Sequence, residues 1–381
     1  MAAQTNEKKV SSSNYISDDI AFSILSKLPV KSLKRFSCVR KTWSILFENP
    51  NFIDMFRDNL ISKPNPLYED TCLILNQFVS PDFNFNLYLF SGDSFEKKVK
   101  LDFPPPFDIQ HNGDDFIRIL GSAINGTLCI YDCENDTKVV LWNPATNKIK
   151  VIPPSLGEVS PEFMTVFDLN GFGYDHITDD YKLIQNVLYV SFECPSDDVM
   201  PKSFWEIYSL KSNSWRKLDF DMPSRDPKIN TDVYLNGVCH WMFKAFEGPY
   251  VISFYLCNEV AFITPLPLED VYDTNLVVLN GSIAIISNYK NNTSFQISIL
   301  GEIGVMESWI KLFDVELFSC IDYPIGTGKK GNIFFRNKNG KLLCFDLTTG
   351  LIKEIGVEGG EHWCQMIIYK ENLHPIGGIN N

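Results

Sequence analysis

A small all-α block followed by an all-β ring of repeated four-stranded units is the fold this sequence predicts, and three observations predict it. Residues 15–62 space their apolar side chains three and four apart, the helical period. Six later segments share one strand–turn–strand shape, with aligned centres 45 to 66 residues apart. Asn-Gly pairs, which suit two-residue turns between strands, precede several of those segments.

The polar stretch 1–14 reads as a disordered lead. Ser17 is placed to cap a helix that begins with Asp18 and Asp19. Ile20, Ile24, Leu25 and Leu28 then make one apolar face. Pro29 ends that helix and can open a second, which carries Leu33 and Phe36. A third contains Val39, Trp43, Leu46 and Phe47. Asn49-Pro50 reads as a stop, and "NFIDMFRDNL" (51–60) as one more short helix, which closes a helical block over 15–62. So short a block buries little surface by itself. Its cluster of Leu28, Pro29, Val30, Leu33 and Trp43 packs on the chain's own body or serves a partner. Residues 63–70 form a linker.

The aligned centres of the six segments are Phe90, Trp142, Tyr208, Phe254, Ile299 and Phe345. Most are preceded by a second strand pair, as in "SAINGTLCIY", "VYLNGVCHWM" and "VVLNGSIAII", so a unit supplies about four strands. Four strands per repeat of about 40–50 residues is the pattern of a β-propeller blade, WD40 or kelch-like. Six blades are counted, and seven stay open because the 66-residue gap between the second and third centres is long. The first unit lacks a strand and the chain ends with an orphan one. Pairing residues 361–369 with the strand around 71–78 closes a ring over residues 71–369 and leaves no long edge. Residues 370–381 are then a tail.

Composition narrows the function. Hydrophobic residues are 45% and charged residues 21%, an ordinary globular mix. The net charge of −13 is uneven: residues 1–63 carry +4 and the remainder −17. An acidic body argues against nucleic acid and against anionic membrane surfaces, both of which need clustered Lys and Arg. The N-terminus has no apolar signal core, and no apolar run approaches the ~18 residues of a membrane span. A cytoplasmic or nuclear setting is expected. None of the ten cysteines forms a CxxC pair; Cys129 and Cys133 share one strand face and read as buried thiols.

Catalytic signatures are missing from the sequence. "GTGKKG" at 326–331 matches G-x-G-x-x-G but precedes the strand "NIFFRN", where a dinucleotide site needs a helix. The five histidines have no metal-binding spacing, and His240 reads as a half-buried strand residue. No GxSxG turn occurs. The acidic pairs in 112–116 and 194–198 read as solvated loops.

"ISDDIAFSILSKLPVKSLKRFSCVRKTWSILFENPNF" resembles an F-box, chiefly through Leu28-Pro29-Val30-Lys31-Ser32-Leu33, Phe36, Val39 and Lys41-x-Trp43. It departs from the usual pattern in having Ile16-Ser17 where a Leu-Pro pair is common. "LWNPATNKIKVIP", "GFGYDHITDDYKLI", "WEIYSLKSNSWRKL" and "VYLNGVCHW" are similar to the F-box-associated interaction domain of a large plant family, the kelch-like type 1 form, near the S-locus F-box group. The resemblance implies a non-catalytic, cofactor-free substrate receptor. Its F-box would dock a Skp-type adaptor, and through it a cullin–RING ubiquitin ligase, while the propeller holds a target protein. Leu28, Pro29, Leu33 and Trp43 match the motif as adaptor contacts, with Leu25, Val30 and Val39 as secondary ones. Loops 104–115, 193–203, 221–230 and 267–275 are candidate target contacts by length and turn composition. An adaptor-binding scaffold without ligase output, and an enzyme propeller, are the alternatives.

Overall fold

The computed structural model describes residues 17–62 except 29, 45, 47 and 48, and residues 71–376 except 80–83, 93, 94, 96, 108–115, 134–137, 158–162, 192–201, 220, 221, 223–231, 246, 247, 268–270, 290–293, 317–320, 329, 330, 361, 362, 374 and 375. The chain divides into two compact units, residues 1–60 and 61–381.

The first unit holds α1 (Asp18–Leu25), α2 (Val30–Ser37), α3 (Lys41–Ser44) and α4 (Pro50–Ser62). Ser17 sits at the N-cap of α1, but its side chain makes no capping bond. Asn49-Pro50, expected as a stop, opens α4 instead. The Asn49 Oδ1 accepts hydrogen bonds from the Asn51 and Phe52 amides at 3.0 and 3.3 Å, and Pro50 takes the first helical position, where its missing N–H costs nothing. Phe52 packs edge-on against Phe22 and stacks on Phe56, which places these rings in the small core.

The second unit is six four-stranded antiparallel sheets. The first blade contains β1 (Thr71–Val79), β2 (Asn84–Ser91) and β3 (Lys97–Leu101). The second has β4 (Ile117–Ile124), β5 (Thr127–Asp132), β6 (Val139–Asn143) and β7 (Lys148–Val151). The third has β8 (Phe163–Asp175), β9 (Asp180–Ser191), β10 (Lys202–Ser209) and β11 (Ser214–Lys217). The fourth has β12 (Asp232–Leu235), β13 (Val238–Ala245), β14 (Gly248–Tyr255) and β15 (Val260–Pro265). The fifth has β16 (Val271–Leu279), β17 (Ser282–Tyr289), β18 (Ser294–Leu300) and β19 (Trp309–Glu316). The sixth has β20 (Ile321–Thr327), β21 (Ile333–Asn337), β22 (Lys341–Phe345) and β23 (Ile352–Glu358). The last strand, β24 (Cys364–Lys370), pairs antiparallel with β1, Leu73 opposite Ile368 and Leu75 opposite Met366. The innermost strands β4, β8, β12, β16, β20 and β24 then touch neighbour to neighbour around a full circle.

Six blades, not seven, account for the chain. The long gap between the second and third centres is taken up by the 13- and 12-residue strands β8 and β9 and the connection 192–201. All six aligned centres fall on the third strand of their blades. In register they oppose Leu73, Leu128, Leu183, Cys239, Ala284 and Ile333 of the second strand, and all are buried. The Asn-Gly pairs at 125–126, 236–237 and 280–281 join first and second strands with both residues at positive φ, the two-residue turn they favour.

The core sits between blades rather than within one. Tyr174, Tyr181 and Tyr208 of the third blade pack with Leu141 and Tyr131 of the second, and Trp205 stacks on Trp241 of the fourth at 5.7 Å. Two Ser-Trp pairs peg adjacent outer strands. Trp215 Nε1 donates to the Pro153 carbonyl at 2.9 Å and Trp309 Nε1 to the Pro265 carbonyl at 3.1 Å. The "GFGYD" segment is a seam: a Cβ on Gly173 would lie 2.4 Å from Leu256 Cδ1 and 2.8 Å from Cys239 Sγ. Beyond β24, Asn372 is also fastened to the ring, its carbonyl accepting from Asn143 Nδ2 at 2.8 Å.

His240 is fully buried on β13, not half-buried, and shares a 2.8 Å hydrogen bond between Nδ1 and Ser253 Oγ. Burial holds its pKa down at about 3, so the folded protein keeps it neutral. Unfolding frees it to take a proton below its ordinary value near 6.5. Stability should therefore fall as pH drops from about 6.5 toward 3, by up to about 1.4 kcal/mol per pH unit for this one group. Urea unfolding of His240→Gln across that range should show a shallower acid limb; an unchanged slope would refute the assignment.

Candidate functional site

Two regions carry functional chemistry. In the helical unit the expected adaptor residues separate by burial. Leu25 (4% exposed) and Leu33 (0%) are covered side chains, with Ala21 and Phe52 also buried, so they cannot offer surface to a partner. Leu28 and Trp43 are half-buried, and Val39 is 68% exposed. Pro29 and the Val30 side chain lie outside the described residues. The face read from spacing as one stripe is two. Ala21 and Leu25 turn inward, while Ile20 (57%) and Ile24 (54%), one turn apart on α1, face out. Phe36, also exposed, meets Trp43 edge-on at 6.2 Å. Ile20 and Ile24 are thus uncovered apolar side chains that the motif did not single out, and Phe36, a motif residue not expected as a contact, is uncovered too. Helical spacing finds a face but cannot say which of two neighbouring stripes the tertiary packing covers.

The second region is the propeller channel. Because neighbouring strands run antiparallel, turns between first and second and between third and fourth strands lie at one end of each sheet. The second-to-third and blade-to-blade connections lie at the other. The four candidate target loops all belong to that second end. Residues 202–203 turn out to lie in β10 and 271–275 in β16, while Phe107 and Met222 are buried. Pro104 is buried as well, while Pro105, Pro106 and Pro267 are exposed; the remaining loop residues fall outside the described ones, as do the acidic pairs at 112–115 and 194–198. A cavity of about 370 Å³ occupies the channel, lined by β4, β12, β16, β20 and β24. The third blade's β8 is excluded because β4 and β12 approach each other directly; a Cβ on Gly121 would sit 3.7 Å from the Asp232 carbonyl. Arg118, Asp232, Asn275 and Gln365 bring polar groups into this space.

"GTGKKG" makes no nucleotide cradle. Gly326 and Thr327 finish β20, and the next element is strand β21. Gly326 has φ +156°, and a Cβ there would meet the Met366 carbonyl at 2.1 Å, so the glycine lets the sixth blade approach β24. Cys129 is buried and its thiol pKa is pushed up by burial, away from thiolate chemistry. Among the described residues no three His, Cys, Asp or Glu side chains gather as metal ligands, and no helix is long and apolar enough to cross a membrane.

The chain is thus a helical unit with uncovered apolar side chains followed by a six-bladed propeller with a polar channel. The profile of the F-box associated beta propeller domain matches residues 79–376, and the chain belongs to that family. Its relatives are F-box proteins of Arabidopsis thaliana. It is 24% identical to F-box protein CPR1 over 95% of this chain and 90% of that protein. It is 29% identical to F-box only protein 8 over 64% and 78%, and 24% identical to F-box/kelch-repeat protein At3g23880 over 77% of each. Among solved structures, TolB from Acinetobacter baumannii shares the fold, with TM-score 0.50 at 12% identity over 83% of this chain and 70% of that one.

Proposed function

We propose that this chain is the substrate-recognition subunit of a Skp–cullin–F-box ubiquitin ligase. The helical unit docks a Skp-type adaptor, and the propeller holds a target protein for ubiquitination by the other subunits. One observation carries the reading: a propeller of the F-box-associated family follows a basic helical unit whose Ile20, Ile24, Phe36 and Val39 are exposed. Isolated exposed apolar residues are common, but four in a unit of about 60 residues suit a docking surface. Leu28 and Trp43 complete that surface, with Pro29 and Val30 kept as contacts by the motif. Leu25 and Leu33 support it from beneath. The net +4 of residues 1–63 complements an acidic adaptor face. The chain supplies no catalytic group and works in the cytoplasm or nucleus.

Replacing Leu28 and Val39 together by alanine should weaken capture of a Skp-type adaptor by at least 30-fold. Apolar anchors at interface centres contribute about 2 kcal/mol or more each. Binding is measured by surface plasmon resonance with purified adaptor, and circular dichroism checks that the helices persist. Unchanged affinity would remove the docking assignment. Reconstituted ubiquitination separates a working receptor from an adaptor-binding scaffold.

A further inference from the structure

The channel contains a cation whose hydrogen-bonding capacity is unmet. Arg118 lines the cavity near the start of β4, at the end of the ring where the blade-to-blade connections lie. Its guanidinium lies 5.3 Å from the Phe116 ring centre and 5.4 Å from that of Trp363. The two rings are 5.9 Å apart and inclined by 59°. The cation lies over the face of each ring, which is where aromatic quadrupoles attract it. The five N–H groups, however, point outward in the guanidinium plane. No described carboxylate lies within 4.0 Å of it. Its Nε is shielded from solvent and has no hydrogen-bond partner. An orphaned charged donor of this kind is unfavourable unless something meets it.

What would meet it follows from the geometry. The Nε–H and one terminal N–H point the same way and match the two oxygens of a carboxylate or phosphate. Beside Arg118, Gln365 clamps the inner edges of β4 and β24. Its Nε2 donates to the Ile119 carbonyl at 2.9 Å and its Oε1 accepts from the Ile119 amide. Arg118 stands on β4. Phe116 and Trp363, one residue before β4 and β24, are pinned through their carbonyls, which accept from the Cys133 and Phe78 amides, each at 3.0 Å. The inner strands also bring backbone along Thr274–Val278 and Pro324–Thr327 to the cavity wall. Those strands have no neighbour on their channel side, so the wall can hydrogen-bond with polypeptide.

We propose that the channel mouth is an oxyanion-reading pocket, in which Arg118, caged by Phe116 and Trp363, takes one carboxylate or phosphate group of an extended peptide. This rests on the substrate-receptor reading and narrows it to a class of target segment. The surroundings add a second restriction. Asp232 lines the same cavity and the body beyond residue 63 carries −17, so a run of acidic residues is repelled. The favoured segment carries a single oxyanion among neutral or basic neighbours.

The test uses the full-length chain and three pools of acetylated, amidated octapeptides. Each pool is random but free of other acidic residues, with one central position fixed as Glu, phosphoserine or Gln. Bidentate charge-assisted pairing should enrich the Glu or the phosphoserine pool about 10- to 100-fold over Gln. The better of the two identifies the source of the oxyanion. Arg118→Met should abolish the preference with its melting temperature unchanged. Arg118→Lys keeps the charge but not the two-pronged edge, and should lower the preference several-fold; it carries the test if Arg118→Met melts early. Equal capture of all three pools, no capture of any, or a preference that survives in a folded Arg118 variant overturns the proposal. Adaptor capture is measured on the same preparations. A chain that binds adaptor but shows no anion preference overturns this inference alone, whereas loss of adaptor binding overturns the receptor reading.

Discussion

A chain ending at Gly360 should lose the propeller fold while its helical unit still captures a Skp-type adaptor. The deleted β24 is a single strand, but it serves two seams. Successive strand residues point to opposite faces. Cys364 and Met366 pack with Ile325, Phe334 and Leu342 of the sixth blade. Ile367 and Tyr369 pack with Ile117, Ile130 and Trp142 of the second. Trp363 and Ile368 are only partly buried and add less. Fully burying an apolar side chain contributes roughly 1.5–3 kcal/mol, and a whole domain is stable by only about 5–15 kcal/mol. Losing four such residues removes most of that margin. Truncation also unpairs β1 from Thr71 to Gln77, a hydrophobic edge open to aggregation. The expected readout is insoluble or aggregated protein by size-exclusion chromatography and loss of the cooperative melt. A monomeric 1–360 chain with an unshifted melting temperature would show that β24 does not close the ring.

Lys182→Met should destabilise the propeller by about 3–5 kcal/mol, since removing one partner of a buried ion pair strands the other charge. Lys182 is buried on β9, with Nζ 2.8 Å from Asp175 Oδ2 and 2.9 Å from the Leu256 carbonyl of the fourth blade. Glu259 lies 3.8 Å away and is also held by Arg216, so the lysine ties the third and fourth blades together. Burial of the Asp175 carboxyl opposes its ionisation. Lys182, the Thr178 hydroxyl and the Ile177 amide outweigh that and hold its pKa at about 2. Because this value lies below the unfolded one near 3.9, the contribution is present at neutral pH and is lost as pH falls from about 4 to about 2. In Lys182→Met that acid-dependent loss should shrink. The double variant Asp175→Asn/Lys182→Met should recover much of the stability. Urea midpoints measure both, and a single variant as stable as the parent would show the pair to be energetically neutral.

The blade repeat was legible because its cause is local. An apolar third strand, a turn that needs left-handed residues and a fourth strand recur in sequence, and Phe90, Trp142, Tyr208, Phe254, Ile299 and Phe345 indeed occupy equivalent third-strand positions. The third blade stretched the period because strand length is set by how far a blade extends, which no turn signal records. The helical unit was legible as helices but not as a surface. Ile20, Ile24, Leu25 and Leu28 share a helical period, yet only the packing against neighbours decided that Leu25 is covered and Ile20 and Ile24 are not. Asn49-Pro50 marked the break between helices but not the element it serves, since a capping residue and a proline mark a boundary equally well from either side.

By itself, then, the sequence determined the order of a basic helical unit and a repeated four-stranded β unit, since both arise from periodicity and turn chemistry within a few residues. The tertiary structure alone decided the rest. Phe116 and Arg118 come from the start of β4 and Trp363 from the start of β24, some 245 residues later in the chain, and they meet only because β24 closes beside β4. Gly326 is a phosphate-loop mimic in sequence and a contact between blades in space. Asp175 and Lys182 lie only seven residues apart, yet it is the fourth blade's Leu256 carbonyl that completes their site. Local patterns record what a residue does to its neighbours in the chain; the channel and the seams arise from closing the ring, which joins residues that no short-range pattern links.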